Sequence, residues 1–332
     1  MNEWLKDNLA CPQDNQKVKL DENYLICPNN HRYPVVDGIP VMLFDDGNPT
    51  HGYITASLEK IARLEAGENL EDIIGRRENA PGEIDDFVQS EIPYTCGNLY
   101  FSIQHRLTRY PIPELRLPPG KGEILLDVGC NWGRWTIAAA QMNYQSIGID
   151  PSLDAVLAAR RIARQLGVEP QFVVGDARFL PFADEAFDVT ISFGVLQHFS
   201  KENAKQSLDE MARVLKDGGL TSVQMPNKFG IRSFYNQVRR GFSEGEGTDV
   251  RWWSPAELMK TFTEKFGKTK MTVDCYFGLG VQKNDADLLP LPFKIIVHSS
   301  EALRGLSGKL PFMMKVADSV YLDSVNRKNH KK

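Results

Sequence analysis

Glycines and one acidic residue follow two apolar segments near the middle of the chain. Residues 124–128 are followed by Gly129-Cys130-Asn131-Trp132-Gly133, and residues 146–149 are followed by Asp150. Such runs predict buried strands that end in tight turns leading into helices. Glycine lets backbone N–H groups approach a ligand, and a helix N-terminus adds positive charge there. An acid about 20 residues after the first glycine is suitably placed to bind ribose hydroxyls.

Three later segments continue this pattern: Gly175-Asp176-Ala177, the stretch 187–199 and the stretch 214–219. In this order and spacing, the five segments resemble the motifs of class I S-adenosylmethionine-dependent methyltransferases over residues 120–226. Asn131 stands where that family usually has glycine, and Asn tolerates left-handed backbone angles best among other residues. A G-x-G-x-x-G dinucleotide fingerprint is not present, because Asn131 and Arg134 occupy its second and third glycine positions.

The resemblance implies an α/β fold with a doubly wound, mostly parallel seven-stranded sheet of the Rossmann-like class I methyltransferase type. In that family the seventh strand runs antiparallel between the fifth and the sixth. The alternation of apolar strands and helices after residue 123 agrees with such a sheet. We predict strands near 124–128, 146–150, 171–175, 187–193, 220–225, 271–277 and 317–325, and helices near 133–142, 152–166, 201–215, 254–266 and 295–305.

The same resemblance implies S-adenosylmethionine as the cofactor. Its methionine portion would lie beside Asp127 and the glycine turn, its ribose at Asp150, and its adenine at Asp176 and Ala177. Phe193 would line the cleft at the end of the fourth strand. The complete set of cofactor-binding candidates is Asp127, Gly129, Cys130, Asn131, Gly133, Asp150, Pro151, Asp176, Ala177, Phe193 and Gly194.

His198 is the candidate catalytic base. It follows the fourth predicted strand on the side where a substrate would enter, and imidazole titrates near neutral pH. The alternative is that His198 caps or packs against the next helix. Basic and aromatic residues of the segment 232–253 would either shape acceptor specificity or form a solvated basic helix.

The fourth strand is not followed by an N/D-P-P-Y/F motif, nor is there a cysteine in a Pro-Cys context. The first motif belongs to enzymes that methylate exocyclic amines of nucleic acids, and the second to cytosine-C5 enzymes. With these two classes of nucleic-acid methyltransferase excluded, the possible reactions are methylation of an oxygen, a nitrogen or an activated carbon.

Residues 1–46 predict a small β-rich unit, with a hairpin around residues 18–26 and the run Tyr33-Pro34-Val35-Val36-Asp37-Gly38-Ile39-Pro40. This late run resembles the Trm112-like zinc-ribbon family. The metal positions match less well, since Cys11, Asp14, Cys27 and His31 replace two cysteine pairs. Zinc accepts all of these ligand types. We therefore consider two alternatives, a structural zinc site and a ribbon that has lost its metal.

Three units are predicted along the chain: a Trm112-like ribbon (1–46), a helical linker or cap (47–119) and a methyltransferase domain (120–332) with an insertion around 282–315. Short helices are expected near 55–66, 83–89 and 100–110. In many class I methyltransferases the segment before the first strand caps the active site. Cap residues that would contact the cofactor carboxylate or the substrate, or else simply pack, are Tyr94, Tyr100, His105 and Arg109.

Composition narrows the list of partners. The 332 residues carry a net charge of −4, which gives no global attraction to nucleic acid. No apolar run approaches the length of a membrane span, and the N-terminus lacks a signal-peptide core. Five scattered cysteines fit a reducing, cytoplasmic location. The oligomeric state is left open.

The leading hypothesis is an S-adenosylmethionine-dependent methyltransferase acting on a small-molecule acceptor. The alternative is an RNA- or protein-modifying methyltransferase, because free-standing Trm112-like proteins activate such enzymes. A third hypothesis is a non-catalytic cofactor-binding protein. It is the weakest of the three, since Asp127, Asp150 and Asp176 are all present.

Overall fold

Eleven strands form one mixed sheet in the computed structural model, which describes residues 1–75, 83–278 and 281–327. Their order across the sheet is β1-β2-β3-β4-β7-β6-β5-β8-β9-β11-β10. The strands are Lys19–Asp21 (β1), Tyr24–Ile26 (β2), Arg32–Val36 (β3), Ile39–Met42 (β4), Ile124–Val128 (β5), Gln145–Asp150 (β6), Gln171–Gly175 (β7), Phe187–Ser192 (β8), Leu215–Pro226 (β9), Thr269–Cys275 (β10) and Ser319–Val325 (β11).

Within strands β5 to β11, the last strand lies antiparallel between the fifth and the sixth, as the resemblance implied. Parallel pairing runs from β7 through β6, β5 and β8 to β9. Strand β11 then pairs antiparallel with both β9 and β10. From β5 the chain adds β6 and β7 on one side, and it then adds β8 and β9 on the other side of β5. The loops after β5 and β8 therefore diverge and leave a crevice between them.

The prediction of a seven-stranded sheet was wrong, because the four N-terminal strands join the same sheet. Strand β4 pairs in parallel with β7, through Val41 opposite Val174, and the hairpins of β1 to β3 continue the same sheet. The physical reason is the composition of β4. All four of its residues, Ile39-Pro40-Val41-Met42, are buried, so the strand needs cover on both faces and finds it at the open edge of β7.

Helices cover both faces of the sheet, because alternate residues of the strands point to opposite sides. On one face Leu126 and Val128 share a core with α1, α7 and α9. On the other, Phe172 and Val174 pack on α5 and α6. The helices are Glu3–Asn8 (α1), Gly52–Glu65 (α2), Leu70–Ile74 (α3), Asp86–Cys96 (α4), Arg134–Gln141 (α5), Leu153–Gln165 (α6), Lys201–Val214 (α7), Ile231–Arg239 (α8), Pro255–Phe266 (α9) and Leu291–Ser307 (α10).

The segment between the N-terminal strands and β5 differs from the sequence-based prediction at two points. Helix α4 extends to Cys96, beyond the predicted end near residue 89. The helix predicted over 100–110 is replaced by 3₁₀ segments, Asn98–Ser102 and Gln104–Arg106. Tyr100 and Ile103 are both buried there, and their spacing of three residues matches one 3₁₀ turn.

The long connection between β10 and β11 contains α10 and two 3₁₀ segments, Lys283–Leu288 and Pro311–Val316. Its residues Val281, Leu289 and Val297 share a core with Tyr100 and Ile92 of the preceding cap segment. Among the residues that the structure describes, no helix combines the length and the apolar character that crossing a bilayer requires.

Candidate active site

A cavity of about 750 Å³ opens at the carboxyl ends of β5, β6 and β8. It lies in the crevice between the loops after β5 and β8, where ligands bind in open α/β sheets. Its size falls within the range typical of small-molecule sites. Of the predicted cofactor-binding residues, it is lined by Gly129, Cys130, Asn131, Asp150, Pro151, Asp176, Ala177, Phe193 and Gly194.

The turn after β5 is left-handed at three positions. Gly129, Asn131 and Gly133 have φ angles of 78°, 45° and 80°. Asn131 tolerates this angle because its side-chain oxygen accepts the N–H of Trp132 at 2.7 Å. A Cβ on Gly129 would lie 2.3 Å from the side chain of Val195, so this position needs glycine for space as well as for its backbone angle.

Asp150 is a buried carboxylate at the cavity wall, 7% exposed. Its Oδ2 accepts the backbone N–H of Asn131, and its Oδ1 accepts that of Ser152, each at 2.9 Å. Burial raises the pKa of Asp150 to about 6, although these two donors act in the opposite direction. Each oxygen has a second lone pair, so the carboxylate can accept two further hydrogen bonds from a ligand.

Two predicted residues lie behind the wall rather than on it. Asp127 is 1% exposed, and its Oδ2 accepts the hydroxyl of Thr136 at 2.7 Å. Burial raises the pKa of Asp127 to about 7. A Cβ on Gly133 would meet Ala159 at 2.9 Å, so this glycine allows α5 to pack closely against α6. Neither residue lines the cavity.

Asp176 is engaged by a neighbouring cation. Its Oδ2 accepts from Nη2 of Arg178 at 2.6 Å, and its Oδ1 accepts the backbone N–H of the same residue at 2.8 Å. Arg178 is 3% exposed and also pairs with Asp46, at 2.9 Å. The negative charge of Asp176 at the cavity wall is therefore compensated by Arg178. Its Oδ1 still has a lone pair that can accept a hydrogen bond from another donor.

His198 lines the cavity in the segment that follows β8. Its Nδ1 lies 2.6 Å from the carbonyl oxygen of Thr248, so Nδ1 carries the proton and Nε2 is the basic nitrogen. The side-chain amide of Gln197 lies 3.1 Å from Nε2. Burial lowers the pKa of His198 below its usual 6.5, which keeps the ring neutral at pH 7.

Sequence reasoning missed the residues that close the cavity from the cap. His51 and Tyr53 stack with their ring centroids 4.1 Å apart, and both line the cavity with Glu91 of α4. Nothing in the sequence distinguishes these residues from ordinary helix caps and surface residues. Glu91 accepts from the side chain of Asn131 at 3.3 Å, which ties the cap to the glycine turn.

Sequence reasoning also missed Arg134. The residue lines the cavity although it is only 3% exposed. Nη1 donates to the carbonyl of Thr95 at 3.1 Å, while Nε has no hydrogen-bond partner among the described residues. The charge of Arg134 acts on the carboxyls of Asp127 and Asp285, but within the described residues it forms no ion pair at 4 Å or less, so a buried cation here favours an anionic group in the adjoining cavity.

The four cap candidates lie in different places. Tyr94 lines the cavity, whereas Tyr100 is fully buried and its hydroxyl donates to Asp285 at 2.5 Å. Arg109 pairs with Asp287, at 3.1 Å, and neither it nor His105 lines the cavity. In the segment 232–253, Arg232 and Trp252 line the cavity.

The four metal-ligand candidates lie together in the N-terminal unit. Nδ1 of His31 is 3.3 Å from Sγ of Cys11, 3.5 Å from Sγ of Cys27 and 3.2 Å from Oδ2 of Asp14. All four potential ligand atoms lie within 4.8 Å of one another. Zinc bond lengths place the ligand atoms of a tetrahedral site about 3.3–3.8 Å apart, so this donor set fits the ion.

Comparison with known proteins identifies the central segment. The family described as "Methyltransferase domain" matches residues 125–219. Probable tRNA methyltransferase 9B of Homo sapiens is 39% identical over 99 residues, covering 30% of this chain and 20% of the relative. Demethylmenaquinone methyltransferase of Bacillus licheniformis is 34% identical over 139 residues, covering 40% and 58%.

The uncharacterized methyltransferase YcgJ of Bacillus subtilis is 32% identical over 120 residues, covering 35% of this chain and 47% of YcgJ. A crystal structure of YcgJ aligns with 63% of this chain and 93% of that chain, with a TM-score of 0.40 and 20% identity.

The chain thus spans between 20% and 58% of the length of these curated relatives. The matches confirm a methyltransferase domain over residues 125–219. Residues 1–46 lie outside this match, so the Trm112-like resemblance stays a prediction.

Two glycines at the cavity allow backbone strain and crowding to be separated. Gly129→Ala places a methyl group against Val195 at a φ of 78°, whereas Gly194→Ala has a similar φ of 71° and no atom within 4 Å of the new Cβ. We expect both to lose about 1–2 kcal/mol of unfolding free energy from strain, and Gly129→Ala to lose about 1–3 kcal/mol more.

Urea unfolding of the purified variants measures the difference. Val195→Ala should recover part of the additional loss in the Gly129→Ala background, because it removes the two methyl groups nearest to the new Cβ. Equal losses for the two glycine variants, unaffected by Val195→Ala, would contradict the crowding argument.

Proposed function

We propose that this chain, whose residues 125–219 form a methyltransferase domain, transfers the methyl group of S-adenosylmethionine to a small-molecule acceptor. The observation that carries the proposal is the cavity at the crevice between β5 and β8, where the left-handed turn and the Asp150 carboxylate meet. The acceptor atom would be an oxygen, a nitrogen or an activated carbon.

The cavity residues fit the parts of this cofactor. The free lone pairs of Asp150 would accept hydrogen bonds from the ribose hydroxyls, and Asp176 with the N–H of Ala177 would contact adenine. Arg134, which lines the cavity beside the glycine turn, would pair with the methionine carboxylate through its guanidinium. When bound, the cofactor supplies an electrophilic methyl group on a sulfonium.

The residues of this chain would then orient the acceptor and remove its proton. His198 presents a neutral ring whose Nδ1 proton is held by Thr248, so Nε2 is free to take a proton once the acceptor displaces the Gln197 amide. Phe193 and Trp252, which line the cavity, would position the acceptor by packing against it and excluding water.

A small acceptor is favoured by the cavity's walls. Val250, Trp252 and the inner side of α8 line the cavity next to the loop after β8, where Arg251 donates to the carbonyls of Gln197 and His198, and with that loop they bound a space of about 750 Å³. The similarity to the human probable tRNA methyltransferase keeps RNA as the alternative acceptor. A screen for loss of cofactor against metabolites and bulk RNA, run in parallel, distinguishes the two.

Zinc bound by Cys11, Asp14, Cys27 and His31 is part of the proposal, together with a Trm112-like origin of residues 1–46. The ligand spacing supports the ion, and the late apolar run supports the family resemblance. A cytoplasmic location is supported by the cysteines, since none of the five, all of which lie in the described residues, forms a disulfide.

Asp150 provides the test of cofactor binding. Asp150→Ala should weaken S-adenosylmethionine binding at least about tenfold in calorimetry, because it removes two hydrogen bonds to a charged acceptor. Since the pKa of Asp150 is raised to about 6, protonation should weaken binding by the wild type as the pH falls from 7 to 5.

Asp150→Asn is the matched control, because it removes the charge of the side chain. This variant should also bind the cofactor more weakly than the wild type. Residue 150 should then contribute no change in affinity between pH 7 and pH 5. Wild-type affinity in a folded Asp150→Ala variant would contradict the assignment.

His198 provides the test of the chemical step. His198→Gln should lower turnover of a protonated acceptor by about 10²–10⁴-fold and leave cofactor affinity nearly unchanged. The loss should be smaller for acceptors that are already deprotonated. Because the pKa of His198 is lowered, wild-type turnover should persist as the pH falls to 6.5.

His105→Gln is the control, since His105 does not line the cavity. Turnover by His198→Gln at the wild-type rate on a protonated acceptor would assign His198 a purely structural role.

Metal analysis tests the zinc site. Protein purified without chelators should contain about one zinc ion per chain, as a single four-ligand site requires. Cys27→Ser should lose the ion, while Cys96→Ser, which alters a buried thiol outside the cluster, should retain it. A normally folded wild type without zinc would favour the metal-free ribbon.

A further inference from the structure

The outward side of α8 is apolar, although helices of globular proteins usually turn their apolar side toward the core. Four apolar residues at positions i, i+3, i+4 and i+7 form one stripe, and each is between 51% and 58% exposed: Ile231, Phe234, Tyr235 and Val238. The buried positions of the same helix are polar, Ser233 and Gln237. The described part of the chain therefore leaves more than half of each stripe residue exposed.

Neighbouring side chains extend the stripe into a larger face. Phe242 is 61% exposed and packs edge-on against Phe234, with the ring centroids 6.0 Å apart. The 3₁₀ segment Pro311–Val316 lies beside the start of α8, because the Asn227 amide donates to the carbonyls of Lys315 and Ala317 at 3.1 and 2.8 Å. We call the following exposed residues the aromatic face: Phe229, Ile231, Phe234, Tyr235, Val238, Phe242, Phe312 and Val316.

Basic residues border the aromatic face. Lys228 and Arg239 are exposed beside it, whereas Arg232 lies on the inner side of α8 and Arg240 pairs with Asp249 at 3.5 Å. Lys309 and Lys315 flank Phe312 on the neighbouring segment. The chain as a whole has a net charge of −4, so this concentration of basic residues is local.

We propose that the aromatic face binds the surface of an anionic phospholipid bilayer. An apolar stripe bordered by Lys and Arg is the pattern of helices that lie in a membrane interface, where rings and aliphatic side chains enter the acyl boundary. The basic side chains reach anionic headgroups while their stems cover apolar surface. The charge of the face is thus complementary to that of the bilayer.

Other occupants fit the observations less well. In a twofold dimer the same patch would meet itself, and its basic residues would oppose one another. A single-stranded nucleic acid would use the rings and the charges. It would leave the aliphatic side chains of Ile231, Val238 and Val316 without a suitable partner.

The inner side of α8 lines the cavity through Arg232, Ser233 and Asn236. Binding of the aromatic face to a bilayer would therefore place one wall of the cavity at the membrane surface, where an amphiphilic acceptor is accessible. The binding itself is independent of the proposed methyl transfer.

Flotation of the full chain with vesicles tests the proposal. The chain should float with phosphatidylcholine vesicles that contain phosphatidylglycerol, not with phosphatidylcholine alone, and added salt should weaken the binding. Phe234→Ser combined with Phe242→Ser should weaken it about tenfold or more. The control Phe101→Ser, an exposed ring outside the aromatic face, should bind as the wild type does.

Charge is tested in the same assay. Lys228→Glu with Arg239→Glu should also weaken binding about tenfold or more, whereas Lys19→Glu with Lys270→Glu, which changes net charge equally, should have a much smaller effect. Unchanged unfolding midpoints establish that the variants are folded. Cofactor binding, measured separately, reports on the proposed function.

Three results would overturn the proposal. One is a wild type that does not float with anionic vesicles, and another is equal loss in the face variants and their controls. The third is that the face variants abolish a dimer, or the binding of a labelled RNA oligonucleotide, while vesicle binding is not detected.

Discussion

The carboxylate of Asp150 joins two segments at the cavity, since it accepts one N–H from the turn after β5 and one from the start of α6. The Asn131 N–H reaches this carboxylate because the turn is left-handed at Gly129, Asn131 and Gly133. This turn leads directly into α5, so it also sets the position of α5 and of Arg134. Burial raises the pKa of Asp150 to about 6, and the two N–H donors keep its charged form accessible at neutral pH. The ligand-binding capacity of the site therefore depends on one buried charge whose remaining lone pairs face the cavity.

Local sequence patterns were sufficient to predict the features that recur at this edge of the sheet. An apolar run, a turn of small residues and an acid after the next run predicted the strands β5 and β6 and the place of Asp150. The left-handed angle of Asn131 followed from its residue type, since its side chain can hydrogen-bond the local backbone. His198 could be placed near the cavity because the loop after β8 lies beside the loop after β5. In each case a short segment carries both the residue type and the position of the residue in the fold.

Features that depend on contacts between distant segments could not be predicted. The addition of β4 to β7 pairs Val41 with Val174, and nothing in either segment specifies the other. Asp127 has the residue type expected of a cofactor ligand, but Thr136, nine residues later, holds its carboxylate behind the cavity wall. The sequence 231–238 has the spacing of a core-facing helix, and the stripe faces outward because Gln237 and Ser233 turn inward. Gln237 donates there to the carbonyl of Lys228. Segment 232–253 was predicted only to shape acceptor specificity or to form a solvated basic helix, and the apolar stripe was not predicted, because periodicity alone does not show which side of a helix is buried.

Besides the pairing of β4 with β7, the N-terminal unit contacts the cavity wall through an ion pair. Asp46, just after β4, and Asp176, just after β7, bind the same guanidinium of Arg178. Phe44 and Phe179 pack alongside, with their ring centroids 5.0 Å apart. A buried guanidinium needs such compensation, because removing one partner of a buried ion pair leaves a charge whose desolvation is no longer offset. The first 46 residues therefore support the cavity wall at Asp176 from outside. Their candidate metal ligands lie earlier in the unit, so a metal there would stabilise the ribbon that carries Asp46 without itself reaching the cavity.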